Sequence, residues 1–132
     1  MKQFSSEKQK IGLYGENIVS LWLTKNGFSL IERNYGTRYG EIDIIAQKGE
    51  VLYFIEVKSI LSENTDFVSR ETQYNPAENV SREKMKRMKR TIEIFLSERK
   101  IRGAFQIDVF VVFIDKRSIK HKINRIENII LP

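Results

Sequence analysis

Glu41-Ile42-Asp43-Ile44-Ile45-Ala46, then Gln47-Lys48-Gly49-Glu50, then Val51-Leu52-Tyr53-Phe54-Ile55-Glu56-Val57-Lys58-Ser59 is the stretch on which the fold turns. Two runs rich in β-branched and aromatic residues flank four residues that include a glycine, the pattern of a β-hairpin. Side chains alternate along a strand, so Glu56 and Lys58 share one face and Val57 points away. Asp43 joins that face if the register between the strands allows it. Two carboxylates and one ammonium would then converge among Ile42, Ile44, Ile45, Phe54, Ile55 and Val57. Carboxylates in such apolar company are costly unless a cation compensates them. A strand-to-strand salt bridge is the rival reading.

Working outward, Ile11, Tyr14, Ile18, Leu21 and Trp22 recur at spacings of three and four and predict a helix over 11–26, stopped by Asn26-Gly27. Phe28 to Asn34 reads as a short extended segment, and Tyr35-Gly36 to Tyr39-Gly40 as a turn. Downstream, residues 60–79 carry Ser, Asn, Thr, Asp and Asn75-Pro76 with little periodicity, which predicts a functional or disordered loop. Val80, Met88, Ile92, Phe95 and Leu96 mark a second helix, with Met85 near the same face. Residues 104–114 read as a strand whose two alternating faces are both largely apolar, with Asp108 the one charge, as in a covered strand. Ile119 to Leu131 fits either a strand or a short helix. Helix, strands, helix, strand is the order of one α/β domain over 1–132, with helices flanking a mixed sheet.

Composition narrows the chemistry. In 132 residues there is no cysteine and one histidine. Disulfides, thiolate metal sites and a Cys nucleophile are excluded, and a hydrolase triad would depend on His121 alone. No apolar run approaches the roughly 18 residues of a spanning helix. Met1 to Lys10 is polar and lacks the apolar core of a signal peptide. The expectation is a cytoplasmic protein with no membrane partner. The charge of +6 is unevenly spread: residues 1–81 carry 9 basic and 11 acidic side chains, and residues 82–132 carry 14 and 6. The basic half points to a polyanion, with a solvated lysine-rich surface as the alternative.

Glu-x-Lys alone is weak. With 13 Glu and 13 Lys, chance gives about one occurrence; there are two, Glu56-Val57-Lys58 and Glu98-Arg99-Lys100. The second lies at the polar end of a helix without an acid partner and reads as surface. The first has an apolar strand setting and Asp43 on the preceding strand.

Asp on one strand and Glu-x-Lys on the next resembles the PD-(D/E)XK nuclease superfamily. The chain is more specifically similar to the YraN (UPF0102) family of predicted bacterial endonucleases. The residues that carry this are Gly12, Gly15 and Glu16 read as opening a helix, Gly27 to Tyr35, Gly40-Glu41-Ile42-Asp43, Phe54-Ile55-Glu56-Val57-Lys58, the basic helix Asn79 to Leu96, the Asp-bearing strand Phe105 to Phe113, and His121. They occur in order over nearly the whole chain. The chain departs from the family where Ser59-Ile60-Leu61 follows the motif in place of a basic residue, in the length of 60–79, and at Val19.

The resemblance implies a restriction-endonuclease-like fold and a metal-dependent endonuclease that hydrolyses phosphodiesters in DNA, branched or junction DNA included. The alternative is a non-catalytic nucleic-acid-binding module that kept the fold. A third reading is a protein-interaction domain in which Glu56 and Lys58 pair directly. Hydrolysis needs charge neutralised at the phosphate and an activated water, which Mg²⁺ or Mn²⁺ supplies through carboxylate oxygens and waters. The implied ligands are Asp43, Glu56 and the Val57 carbonyl, with Glu16 at a helix N-terminal turn, and Glu41 as a lesser candidate. Lys58, held charged by its acids, would position the water and stabilise charge on the phosphate. Arg82, Lys84, Lys86, Arg87, Lys89 and Arg90 would neutralise phosphates without reading sequence. Lys116, Arg117, Lys120, Lys122 and Arg125 form a weaker basic group. RNA remains open as a partner, and a homodimer would serve double-strand cutting. His121 and Trp22 read as structural, Asp108 as a sheet-end group or a buried partner for a base, and Gln73 and Tyr74 as able to enter the site if their loop folds over it.

Overall fold

The computed structural model describes residues 6–62, 82–118 and 120–130. Helix α1 (Glu7–Lys25) precedes strands β1 (Ser29–Thr37), β2 (Gly40–Lys48) and β3 (Val51–Ser62); helix α2 (Arg82–Glu98) precedes β4 (Phe105–Asp115) and β5 (His121–Ile126). The five strands form one sheet in sequential order. β1, β2 and β3 are antiparallel neighbours, β3 and β4 run parallel, and β5 returns antiparallel to β4. The expected mixed α/β sheet with flanking helices is present. The C-terminal segment, open between strand and helix, contains a strand. The segment 63–81, with Gln73, Tyr74, Asn75-Pro76 and Val80, lies outside the described residues, as do Ile119 and Leu131; residues 60–62 belong to β3, not to a loop.

The helix ends correct the sequence reading. α1 starts at Glu7, not near residue 11, because Ser6 caps it: the Ser6 hydroxyl accepts from the Gln9 amide, and the Gln9 side chain accepts from the Ser6 amide. That first turn is exposed, so it has no apolar marker. The β2–β3 turn is two residues, with Lys48 opposite Val51 and Gly49 at φ 62°, a conformation glycine adopts without strain.

Each helix covers one sheet face. Val19 and Leu23 of α1 pack on Ile44, Ile55, Phe110 and Val112. Ile92 and Phe95 of α2 pack on Ile42, Ile45, Phe54 and Ile107. α1 approaches β3 closely at Gly15, where a Cβ would overlap Ser59 Oγ. Two contacts seat α2 on the β1–β2 hairpin: Thr37 and Thr91 share a hydroxyl hydrogen bond of 3.0 Å, and Tyr35 meets Phe95 edge-on at 5.1 Å.

Asp108 is a buried partner for a base. Its side chain is fully buried and accepts from Arg125 Nε and Nη2, Gln106 Nε2 and the Asn128 amide at 2.9–3.0 Å. The Arg125 guanidinium lies 5.6–5.8 Å from the ring centres of Trp22, Phe28, Tyr53 and Phe110. Arg125 therefore serves the interior, which removes it from the second basic group.

Candidate metal centre and nucleic-acid interface

The site arises where β2 and β3 part. Their pairing runs from Lys48↔Val51 to Ile44↔Ile55. Beyond it β2 stays with β1 as far as Thr37↔Gly40, while β3 stays with β4 as far as Ser62↔Asp115. Asp43 and Glu56 stand at the mouth of this fork. The alternation of β2 breaks there: Ile44 packs beneath α1, whereas Ile42, two residues away, packs beneath α2. Across from Asp43, Asn34 adopts φ 54°, a left-handed conformation that Asn tolerates better than most residues.

Asp43 bridges the fork. Its Oδ2 accepts a hydrogen bond from the Val57 amide at 2.8 Å. Its carboxyl is pushed up to about 7, first by burial, then by the Glu56 charge and by Glu16; the Val57 amide and Lys84 pull the other way. Glu56 lies on the α2 side, 9% exposed, and its Oε1 receives Lys84 Nζ at 2.6 Å. The direct Glu56–Lys58 pair required by the protein-interaction reading is not formed. Lys58 follows Glu56 on the same face, half-buried and opposite Val111 in register. Among the described residues no hydrogen bond or ion pair holds it.

Glu16 approaches from the α1 side. It occupies the third turn of α1, not the N-terminal turn, so a helix dipole does not explain it. Arg33 Nη2 stands 3.6 Å from Glu16 Oε1. The Asn34 amide, oriented to satisfy its donors, donates to Glu16 Oε1 at 3.1 Å and Glu41 Oε1 at 2.9 Å. Burial raises the Glu16 carboxyl, against the lowering effect of Arg33. Arg33 thus flanks Glu16, and Asn34 links Glu16 to Glu41 beside Asp43; neither was singled out from the sequence as a site residue. Their signals were the Gly27 to Tyr35 stretch that carries the family resemblance and an Asn followed by Tyr-Gly inside a strand-like run.

The basic residues of α2 divide. Lys84 and Arg87 line a cleft of about 320 Å³ with Glu41, Glu56 and Tyr39. Arg90 lies 5.0 Å from the Tyr39 ring centre and Arg38 4.9 Å from it, so two guanidinium groups bracket one aromatic ring at the lip. Lys89 lines a separate groove toward Ile129. Arg82 and Lys86 are exposed. His121 is exposed on β5, opposite Ile114, and apart from the fork.

The donor set fits a hard divalent cation. It is all oxygen, and the Lys84 ammonium already stands in as a cation on Glu56. Among the described residues no three carboxylates or imidazoles gather closely enough to cage an ion. One or two carboxylates completed by water is the usual way in which Mg²⁺ is held. Asp43 and Glu56 are the two carboxylates that could hold one; Glu16 and Glu41 stand beside them.

A mixed sheet with one helix on each face and an acid fork at its centre is an arrangement compatible with the restriction-endonuclease-like fold. Comparison of the sequence with known families is specific: the model of the uncharacterised protein family UPF0102 matches residues 15–112, and the chain belongs to that family. A UPF0102 protein of Campylobacter hominis is 36% identical over 125 residues, spanning 95% of this chain and 97% of its own. UPF0102 proteins of Dictyoglomus turgidum and Dictyoglomus thermophilum are 42% and 39% identical, over 71% and 82% of this chain and 73% and 86% of theirs. Among the described residues no helix is long and apolar enough to cross a membrane.

Proposed function

We propose that the protein is a Mg²⁺- or Mn²⁺-dependent endonuclease acting on DNA. The observation that carries this reading is the half-buried Asp43 carboxylate beside Glu56 at the opening of the β2–β3 fork, with Lys58 next along the strand face. Two acids placed so closely, in an apolar setting, have a reason to coexist if a cation is bound. A divalent ion there would neutralise charge at a phosphodiester and lower the pKa of a bound water. The chain's own groups do the rest. Asp43 and Glu56 hold the ion, with the Val57 carbonyl as third ligand by the superfamily resemblance, while the Val57 amide fixes Asp43. Glu16 and Glu41, joined through Asn34, orient water around the site. Lys58 positions the attacking water and stabilises charge on the phosphate. Arg87 and Arg90, with Arg38 and Tyr39 at the lip, hold the strand backbone; Arg82, Lys86 and Lys89 extend the electrostatic footprint. The resemblance to resolvase-like nucleases points to branched or junction DNA as a substrate, and a second copy of the chain would supply the second cut.

The ion pair of Lys84 with Glu56 favours one rival, a nucleic-acid-binding module in which a lysine replaces the metal for good. Calorimetric titration with Mn²⁺ separates the two. The nuclease reading expects one site per chain, lost in Asp43→Asn; a binding module expects no metal heat and a nucleic-acid affinity independent of divalent ions.

A further inference from the structure

We propose that Lys84 is a tethered cation that competes with the divalent ion for Glu56, and so sets the metal concentration at which the site fills. The inference rests on the metal-site reading above and adds a residue that reading does not need. Lys84 Nζ sits 2.6 Å from Glu56 Oε1, and the two side chains are 44% and 11% exposed. The pair is therefore neither a solvated surface bridge nor a sealed one.

The position of Lys84 is not explained by its helix. It lies in the first turn of α2, where the dipole disfavours positive charge. Its stem reaches from that turn into the cleft shared by Glu41, Glu56 and Arg87. α2 is held in place independently, by the Thr37–Thr91 hydroxyl contact and the packing of Ile92 and Phe95. Lys84 can leave Glu56 without moving the helix. An ammonium 2.6 Å from Glu56 Oε1 repels a divalent ion on the same carboxylate, and that repulsion is comparable to what the ammonium itself gains from Glu56. Metal binding therefore weakens or displaces the Lys84 contact, and the free energy lost there is subtracted from the metal affinity.

The test is Mn²⁺ titration calorimetry on the full chain without nucleic acid, comparing the parent protein, Lys84→Met, Lys84→Gln and Lys84→Arg, with Glu56→Gln as the control. Removal of the charge leaves Glu56 uncompensated, and Lys84→Met and Lys84→Gln are expected to bind Mn²⁺ about tenfold more tightly than the parent. Lys84→Arg keeps the charge and stays within about twofold. Using two neutral variants covers a folding failure in one. Mn²⁺ heat that is lost in Glu56→Gln but unchanged or weaker in both neutral variants overturns the role of Lys84 while leaving the metal site standing. Absence of Mn²⁺ heat in the parent and in every Lys84 variant overturns the metal site and this inference together.

Discussion

Asp43 carries the largest electrostatic cost in the described site. Burial, then the neighbouring Glu56 charge, push its carboxyl from the ordinary range of about 3.8 up to about 7. Between those values the folded state binds a proton that the unfolded chain has released, so stability falls as pH rises through that window. Asp43→Asn keeps an oxygen for the Val57 amide and removes the charge. Thermal unfolding at pH 5 and pH 8 should show the metal-free parent losing stability at pH 8 and Asp43→Asn losing distinctly less; equal losses in the two proteins would contradict the assignment. Strand alternation alone puts Glu56 and Lys58 on one face. Asp43 was singled out with them, but its place beside Glu56 stayed conditional on the register, since it depends on two strands parting, and nothing local in Ile42-Asp43-Ile44 announces where pairing ends. Glu16 was legible as an acid off the apolar stripe, but its place was misread because the capped first turn has no apolar residue.

At the scale of elements, α2 joins two jobs. Its inner face, Met88, Ile92 and Phe95, packs on the sheet, while Lys84, Arg87 and Arg90 look over the cleft and Tyr39. The basic run was evident in the sequence; its division was not, because Glu56 is 28 residues from Lys84 and only tertiary packing brings them together. Helical spacing grouped Arg82, Lys86 and Lys89 or Arg90 on one flank, whereas the seating of α2 on the β1–β2 hairpin puts Lys84 on Glu56, Arg87 in the same cleft and Arg90 on Tyr39. If the two arginines face phosphates, Arg87→Ala and Arg90→Ala each weaken DNA binding across all sequences and lower the slope of log K against log salt by about one. Fluorescence anisotropy over a salt series measures this. An Arg82→Ala variant with a larger effect than either would place the strand elsewhere.

Across the whole molecule, the site depends on a sheet stapled at its far side. Asp108 and Arg125 join β4 to β5 beneath Trp22 of α1, and the same carboxylate takes the Asn128 amide of the C-terminal segment. Asp108→Ala takes the acceptor from the Asn128 amide and leaves the partly exposed Arg125 with Glu127 alone, at 3.1 Å, a loss of about 3 kcal/mol, or roughly 10 °C in unfolding midpoint. A shift within ordinary replicate scatter would show that the aromatic box alone holds Arg125. Covered apolar faces on Phe105–Ile114 foretold a buried strand with a charge that needed a partner; the identity of that partner depended on the β4–β5 register. The division of charge along the chain, acidic before residue 82 and basic after it, has a structural counterpart in part. Glu16, Glu41, Asp43 and Glu56 gather at the fork, and α2 lays three basic residues over it, but Arg125 is spent inside.

A metal-dependent phosphodiesterase centre at the fork is tested by cleavage of end-labelled linear, branched and single-stranded DNA with Mg²⁺ or Mn²⁺ by the parent, Asp43→Ala and Lys58→Ala proteins in parallel. The parent is expected to cut at least one substrate and to cut none without metal, and each variant to lose at least about 100-fold. Cutting that survives both substitutions, or a parent that cuts no substrate with either ion, would contradict it.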